Sequence, residues 1–138
     1  MSQYLLDTNI CIHWSKDEFN LRQKIRQVGV GNCFLSELTI AELVYGIAKS
    51  APSKQAANRR SLDILQQLFA GRILLVGTCF DVYGPEKVRL RAMGRPDDDF
   101  DLMIGSTAVA HGFTFVTRNT RHFADISGLV LENWIDNS

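Results

Sequence analysis

Three carboxylates stand at points in the chain where they could do chemistry together. Asp7 directly follows the apolar run Tyr4–Leu6, and Glu42 and Asp101 each lie in a segment with helical spacing. Carboxylate oxygens are the ligands that Mg²⁺ prefers in proteins, with waters completing the coordination shell. If the three side chains meet in space, they predict a divalent-metal site. Phosphodiesters are the natural substrate class of such a site, because the cation offsets both phosphate and carboxylate charge.

Two of these carboxylates also have a structural interpretation at a helix start. Asp7, followed by Thr-Asn, is a good residue to cap the next helix. Asp101 can favour its own helix through the macrodipole, although the neighbouring run Asp97–Asp99 already supplies negative charge there. A capping role and a metal-binding role are compatible at Asp7, so both interpretations stay open.

Glu42 has the strongest structural alternative. Thr39-x-x-Glu42 before an apolar run has the spacing of a capping box, in which Glu42 would accept a hydrogen bond from the Thr39 amide. On a helical wheel, Glu42 lies opposite the apolar face of this segment. That face comprises Ile40, Leu43, Val44 and Ile47. The pattern therefore predicts that Glu42 points into solvent or into a cleft.

Asp101 is followed at spacings of four, three and four by Gly105, Ala108 and Gly112, which share one helical face with it. Small residues along one face let a helix lie close on a sheet. The spacing thus predicts that Asp101 sits at the partly buried edge of that contact, near the strand ends. A buried carboxylate is costly unless a cation neutralises it.

Strand-like and helical patterns alternate along the chain. Strands are predicted at Tyr4–Leu6, Cys33–Leu35, Arg72–Val76, Phe113–Thr117 and Leu129–Leu131. Helices are predicted at 8–15, 18–28, Thr39–Lys49, Lys54–Phe69, 78–93 and Asp101–His111, the last ended by Gly112. This order favours βαβ units in an α/β fold with a mostly parallel sheet, whose ligands bind outside the carboxyl ends of the strands.

Composition narrows the class of protein further. The 138 residues fit one domain, and the 15 basic and 15 acidic residues balance, so a nucleic-acid interface would have to rest on local patches. No segment has the composition of a signal peptide or the ~20 apolar residues of a membrane helix. Cys11, Cys33 and Cys79 are odd in number and far apart, which predicts reduced, mostly buried thiols and a cytoplasmic protein without a membrane partner.

The segment after the fourth predicted strand carries the other candidate site residues. Asn119 could be a fourth, neutral metal ligand or position a water, and it could equally be a turn residue. Arg118 and Arg121 flank this position and are expected to reach substrate phosphate. His13, His111 and His122 show no metal-ligand spacing and are given no catalytic role. For Trp14 and Tyr45, packing in the core or against a partner is favoured over base stacking.

Several of these segments resemble the motifs of the PIN-domain family. They are LLDTN (5–9), LTIAELVYGI (38–47), DLMIGSTAVAHG (101–112) and FVTRNTRHF (115–123). The closing LVLENW (129–134) also resembles the ending of bacterial VapC-type toxins of type II toxin–antitoxin systems. The resemblance covers nearly the whole chain in the right order, and it implies that residues 1–138 are a single PIN domain.

The resemblance implies a Rossmann-like three-layer α/β/α fold and Mg²⁺- or Mn²⁺-dependent endoribonuclease activity on RNA, with tRNA as one substrate class. It also implies that Asp7, Glu42 and Asp101 form the acidic triad and that Asn119 stands where many relatives carry a fourth acid. Thr117 falls in a motif that can hold a water or phosphate. Asp99 is the reserve ligand if the helix register differs.

The resemblance also implies partners. These are a cognate VapB-type antitoxin and a second copy of the chain, in a homodimer or a toxin–antitoxin hetero-oligomer. Two other functions stay open from the residues alone. One is an aspartyl phosphotransferase with Asp7 as nucleophile, although Asn9 stands where that class wants a second Asp. The other is a non-catalytic PIN-like module that binds nucleic acid or regulates a partner.

Overall fold

The computed structural model describes residues 2–95 and 98–136. Five strands run at β1 (Tyr4–Leu6), β2 (Cys33–Ser36), β3 (Ile73–Leu74), β4 (Thr114–Val116) and β5 (Leu131–Glu132). Seven α-helices are described at α1 (Thr8–Ser15), α2 (Leu21–Val28), α3 (Glu37–Lys49), α4 (Pro52–Leu68), α5 (Phe80–Ala92), α6 (Asp99–His111) and α7 (Thr120–Phe123). Single 3₁₀ turns at Val30–Asn32 and Val76–Cys79 precede β2 and α5.

The strands form one sheet in the order β3-β2-β1-β4-β5, and every described pairing is parallel. In the register of β1 with β4, Leu5 lies beside Phe115 and Leu6 beside Val116. All strands therefore end at the same edge. Asp7 directly follows β1 and Thr117 directly follows β4, so both lie at that edge. The strand order reverses between β1 and β4, which is where ligands bind in sheets of this kind.

The sheet lies between two layers of helices, which confirms the predicted α/β fold. Alternation along β1 sends Leu5 and Leu6 to opposite faces. Leu6 packs in a cluster with residues of α1, α2 and α4, and Leu5 packs with residues of α5 and α6. Each buried aliphatic side chain of this kind contributes roughly 1.5–3 kcal/mol to folding. The two cores together hold the central strands, and hence the residues at their ends, in fixed positions.

Helix starts differ from the sequence pattern in ways that matter for the site. Helix α3 begins at Glu37, because Ser36 is its cap and accepts a hydrogen bond from the Leu38 amide at 3.0 Å. Helix α4 begins at Pro52, where the pattern predicts a break. Proline is favoured in the first turn of a helix, where its missing N–H is not needed. Residues 18–20 form a turn, and α2 begins only at Leu21.

Helix α6 begins two residues before the predicted start, with Asp98 as its cap. Its close contact is also different from the predicted one. A Cβ on Gly105 would lie 2.6 Å from Ile126 and within 4 Å of Phe123 and Leu129. The absence of a side chain at Gly105 thus makes room for the segment after β4. The prediction that Gly105 lets α6 lie close on the sheet is wrong, because Gly105 faces that segment instead. As a result α7 lies against α6 near Asp101.

Two smaller predictions have mixed outcomes. The three cysteines are free and buried, as predicted. Tyr45 is 66% exposed, so it does not pack in the core, and its packing against a partner stays a prediction. Among the described residues, no helix has the length and apolar character needed to span a lipid bilayer. Pro96 and Asp97, which the sequence places in the turn before α6, lie outside the described residues.

Candidate active site at the carboxyl edge of the sheet

Asp7 is the most enclosed of the three predicted acids, with 5% of its surface exposed. Its Oδ1 accepts a hydrogen bond from the Thr8 amide at 2.8 Å, so it caps α1 as the sequence predicts. Its Oδ2 faces the other way and accepts from Thr117 Oγ1 at 2.8 Å and from Asn9 Nδ2 at 3.2 Å. Asp7 is therefore both a cap and a carboxylate fixed at the strand ends.

Glu42 is not part of a capping box, because Thr39 lies inside α3 rather than at its start. Glu42 Oε1 instead accepts a hydrogen bond of 2.5 Å from Thr8 Oγ1, and Thr8 Oγ1 also lies 3.2 Å from Thr39 Oγ1. Thr39 is completely buried and Val44 is 42% exposed. The predicted apolar face holds in part, because Ile40 and Leu43 pack against the core whereas Val44 does not. Glu42 contacts the residue after Asp7 and lines a cleft, one of the two surroundings that the sequence predicts.

Asp101 lies in the first turn of α6, and its Oδ2 is 2.7 Å from His122 Nε2. Its side chain keeps 27% of its surface exposed, against 52% for His122. Sequence reasoning gave His122 no role, because a lone histidine has no ligand spacing. The contact depends on the small side at Gly105, which lets α7 approach α6. In the sequence, the only sign of the contact between His122 and Asp101 is that the motif TRNTRHF (117–123) follows β4.

Asp7 and Asp101 line one cavity of about 660 Å³ at the carboxyl edge of the sheet. Its other lining residues are Arg118, Asn119, Thr120, Arg121, His122 and Phe123. The cavity therefore brings two carboxylates and two arginines together. This combination suits an anionic substrate held beside a carboxylate-bound cation.

Electrostatics couple the three predicted acids. Burial raises the pKa of Asp7, hydrogen bonds from Thr117, Thr8 and Asn9 oppose that rise, and the charge of Asp101 adds to it. Burial likewise raises the pKa of Glu42, with the charges of Asp7 and Asp101 adding to the rise. The carboxylates thus repel one another, as expected of a site that needs a cation to offset their charge.

The three acids do not enclose an ion by themselves. Over residues 2–95 and 98–136, no three His, Cys, Asp or Glu side chains group closely enough to hold a metal. Mg²⁺ commonly binds through only one or two carboxylates, with waters and substrate phosphates as the remaining ligands. Asp7 and Asp101 line one cavity and fit an open site of that kind. Glu42 is connected to them through its hydrogen bond with Thr8.

Of the remaining predicted residues, four lie at the site and one does not. Thr117 is buried and donates to Asp7. Asn119 lines the cavity, and its backbone amide donates to Thr117 Oγ1 at 3.0 Å. Arg118 and Arg121 line the cavity as predicted. Asp99 does not, because its carboxylate accepts from Tyr83 and Lys87 at 2.7 and 2.9 Å.

Sequence comparison gives the family of the chain. The family model for the PIN domain matches residues 4–129. The chain belongs to the PIN domain family. This PIN domain is 34% identical to ribonuclease VapC2 of Rickettsia felis, over 95% of this chain and 97% of that protein. It is 33% identical to the tRNA(fMet)-specific endonuclease VapC of Shigella flexneri, over 97% and 99% of the two chains.

Solved structures place the PIN domain among VapC-type proteins. One chain in the crystal structure of VapBC2 from Rickettsia felis, bound to a DNA fragment from the promoter, superposes on this chain with a TM-score of 0.81 at 32% identity. That match covers 95% of this chain and 98% of the other. The FitAcB structure from Neisseria gonorrhoeae superposes with a TM-score of 0.83 at 26% identity, over 96% and 98% of the chains.

Proposed function

We propose that this PIN domain is a metal-dependent endoribonuclease toxin that a cognate VapB-type antitoxin neutralises. The supporting observation is the cavity where buried Asp7 and half-buried Asp101 face Arg118 and Arg121 at the ends of the central strands. Relatives that match almost end to end carry the names ribonuclease and endonuclease. A binding module without catalysis would have no need for repelling carboxylates at this edge.

Asp7 and Asp101 are the residues that would hold Mg²⁺ or Mn²⁺, with Glu42 adding negative charge from behind. When bound, the ion supplies Lewis acidity, which lowers the pKa of a bound water and offsets phosphate charge. Asn119 lines the same cavity and can position a water or a phosphate oxygen through its amide. Its neutral side chain adds no further repulsion between the acids.

The chain holds these groups in place before substrate arrives. Thr117 and Asn9 donate to the same oxygen of Asp7, which fixes the plane of that carboxylate. His122 contacts Asp101 and restricts its rotation. Such positioning matters, because reacting groups that are already oriented avoid much of the entropic cost of the reaction.

Arg118 and Arg121 supply the substrate side of the site. Guanidinium groups bind phosphate oxygens through charge-assisted hydrogen bonds. Arg118 is held by Asp136, with N–O distances of 3.3 and 3.4 Å to its two carboxylate oxygens. The balanced net charge of the chain means that these local cations, rather than a general basic field, direct RNA to the cavity.

The chemistry expected of this arrangement is hydrolysis. Water attacks the phosphorus, the P–O3′ bond breaks, and the products carry a 5′-phosphate and a 3′-hydroxyl. Products with a 2′,3′-cyclic phosphate would instead require attack by the ribose hydroxyl and would contradict the proposal. Because a full-length relative is named for tRNA(fMet), initiator tRNA is the first substrate to test.

A second cavity, of about 390 Å³, offers a place for the antitoxin. It runs between α1, α3 and α4, and its apolar lining includes Ile12, Leu43, Ile47, Leu62 and Leu65. Glu42 lines it as well, so the groove leads toward the active site. A helical or extended antitoxin segment could bury its apolar side here. Toxin–antitoxin complexes are the form in which the matching structures were solved.

Homodimerisation and a cytoplasmic location complete the proposal. Light scattering on the purified chain, with and without antitoxin, would measure the number of copies in each complex. Fractionation of cells that express the tagged chain would locate it.

The proposal is tested with a pair of aspartates on the same helix. Asp101→Asn keeps the size of the side chain and removes the proposed ligand, so cleavage of RNA in Mg²⁺ should fall by roughly a thousandfold or more. Asp99→Asn, two residues earlier, is the matched control and should leave cleavage within about twofold, because Asp99 pairs with Lys87 and Tyr83. Cleaved ends are mapped by sequencing.

A direct metal readout accompanies the cleavage assay. Mg²⁺ should raise the melting temperature of the wild type and of Asp99→Asn, since ligands that bind only the folded state stabilise it. It should have little effect on Asp101→Asn. Equal cleavage by Asp101→Asn and the wild type, or cleavage that persists in excess chelator, would contradict the proposal.

A further inference from the structure

The turn between α1 and α2 has an unusual backbone. Three non-glycine residues in it have positive φ angles: Asp17 (55°), Phe19 (59°) and Asn20 (57°). Asn and Asp adopt this left-handed conformation fairly often, but a bulky aromatic residue does so rarely. Such strain persists only where the surroundings enforce it, often at functional sites.

Contacts on both sides of the turn hold it in this shape. The Glu18 amide donates to the His13 carbonyl at 2.9 Å, and the Leu21 amide donates to the Glu18 carbonyl at 3.2 Å. Arg22 donates to the carbonyls of Trp14 and Ser15, both at 3.1 Å. The turn is therefore a fixed feature of the fold.

The strained turn presents the Phe19 ring to solvent rather than to the core. Phe19 is 47% exposed and belongs to neither core cluster of the described residues. The His13 ring stands edge-on to it, with the ring centroids 4.9 Å apart and the planes at 85°. An aromatic ring that is strained and still exposed gains little for folding, so its placement calls for another explanation.

Phe19 lies beside the active-site cavity. The guanidinium carbon of Arg118, which lines that cavity, is 5.0 Å from the Phe19 ring centroid. The Arg118 amide donates to Asn9 Oδ1 at 3.3 Å, and Asn9 in turn donates to Asp7. Three consecutive contacts thus connect the exposed ring to the carboxylate at the end of β1.

We infer that Phe19 is a base-stacking residue that positions single-stranded RNA next to the scissile phosphate, an inference that rests on the proposed ribonuclease function. An aromatic face next to an arginine offers stacking for a base and a cation for its phosphate, which is how many proteins hold unpaired RNA. Phe19 is then a specificity-determining residue: it sets which nucleotide beside the cut is favoured, while Asp7 and Asp101 set the chemistry.

The test uses substitutions that separate stacking from folding. Phe19→Asn removes the ring but keeps a residue that tolerates the left-handed conformation, so its melting temperature should equal or exceed that of the wild type. Phe19→Tyr keeps the ring. Phe80→Asn is the matched control, because Phe80 is 52% exposed and, unlike Phe19, is not the ring that Arg118 contacts among the described residues.

Binding is measured by fluorescence anisotropy with labelled single-stranded oligo(A) and oligo(U) decamers, in the Asp101→Asn background so that no RNA is cut. Phe19→Asn should weaken binding of oligo(A) by roughly five- to tenfold, the loss of one stacked base, with a smaller effect on oligo(U). Phe19→Tyr and Phe80→Asn should bind within about twofold of the parent.

Cleavage of initiator tRNA in the otherwise wild-type chain gives the second readout. Phe19→Asn should raise the RNA concentration for half-maximal rate and leave the maximal rate within about twofold. Unchanged RNA affinity in Phe19→Asn would overturn the inference. If that variant also failed to copurify with the antitoxin, Phe19 would belong to the antitoxin interface instead. If the wild type cuts no RNA but the affinity pattern holds, the ribonuclease proposal fails while Phe19 stands as an RNA-binding residue.

Discussion

Two buried carboxylates in this molecule behave in opposite ways. Asp7 at the sheet edge and Glu86 in α5 are 5% and 8% exposed. Burial raises the pKa of Asp7. The pKa of Glu86 falls to about 2, mainly because Arg89 donates to both of its oxygens at 2.8 and 2.9 Å. Low solvent exposure alone therefore does not decide the charge state of a carboxylate.

The difference lies in the partners. Glu86 has a guanidinium and the Ser127 amide, 2.9 Å away, so its charge is satisfied within the fold. Among the described residues, the hydrogen bonds to Asp7 come from neutral donors, and the charge that shifts its pKa belongs to another acid, Asp101. A carboxylate with its own cation ties α5 to the segment after α7. A carboxylate without one marks the place where a cation from solution is expected.

Glu86→Gln tests the structural half of this comparison and should have the largest effect on stability. It leaves the Arg89 charge without its partner at the contact with residues 125–127, so the free energy of unfolding should fall by about 2 kcal/mol. Because the folded pKa of Glu86 is depressed, the deficit should be full above about pH 5 and fade as pH falls toward 2.

The measurement is urea denaturation of both proteins between pH 2.5 and 7. RNA cleavage at a temperature well below both melting points should be unchanged, because Glu86 is not among the residues that line the active-site cavity. A constant stability difference over the whole pH range would mean that the ion pair does not carry the effect.

Asp7→Asn tests the other half, and the sign should reverse. The raised pKa means that Asp7 favours folding when protonated and disfavours it once pH rises through its folded pKa. In metal-free buffer at pH 7, Asp7→Asn should therefore melt at the wild-type temperature or about 2–4 °C above it. The advantage should vanish as pH falls toward 4, and thermal melts in chelator check this.

Mg²⁺ sharpens the same experiment. It should raise the melting temperature of the wild type more than that of Asp7→Asn, and so reduce or invert the difference. A variant that is less stable than the wild type at pH 7 without metal would show that the Thr117 and Asn9 hydrogen bonds outweigh the cost of the buried charge.

His122→Asn should give the smallest effect. Asn can still reach toward Asp101 but is shorter than the imidazole, so the carboxylate should be less well oriented. We expect a roughly three- to tenfold loss of cleavage rate, since small losses of orientation reduce rates without abolishing them. The melting temperature should change little, because His122 is half exposed. His111→Asn is the control on the same helix as Asp101 and should retain the rate.

Prediction from sequence succeeded where local pattern carries the physics. The strand–helix alternation predicted the parallel sheet, and with it the edge where Asp7 and Thr117 lie. It failed at positions that depend on packing between elements. Glu42 was assigned to a capping box with Thr39, whereas Ser36 caps α3 and Glu42 contacts Thr8 at the start of another helix.

Sequence alone determined the order of the strands and of the longer helices, and the edge of the sheet at which Asp7 lies, because periodicity and strand direction are local properties. Only the tertiary structure decided that His122 meets Asp101, that Thr8 joins Glu42 to the site, and that a strained turn holds Phe19 beside Arg118. These contacts join residues 21 to 99 positions apart in the chain. Their formation depends on side-chain volume between packed layers, which no short stretch of sequence encodes.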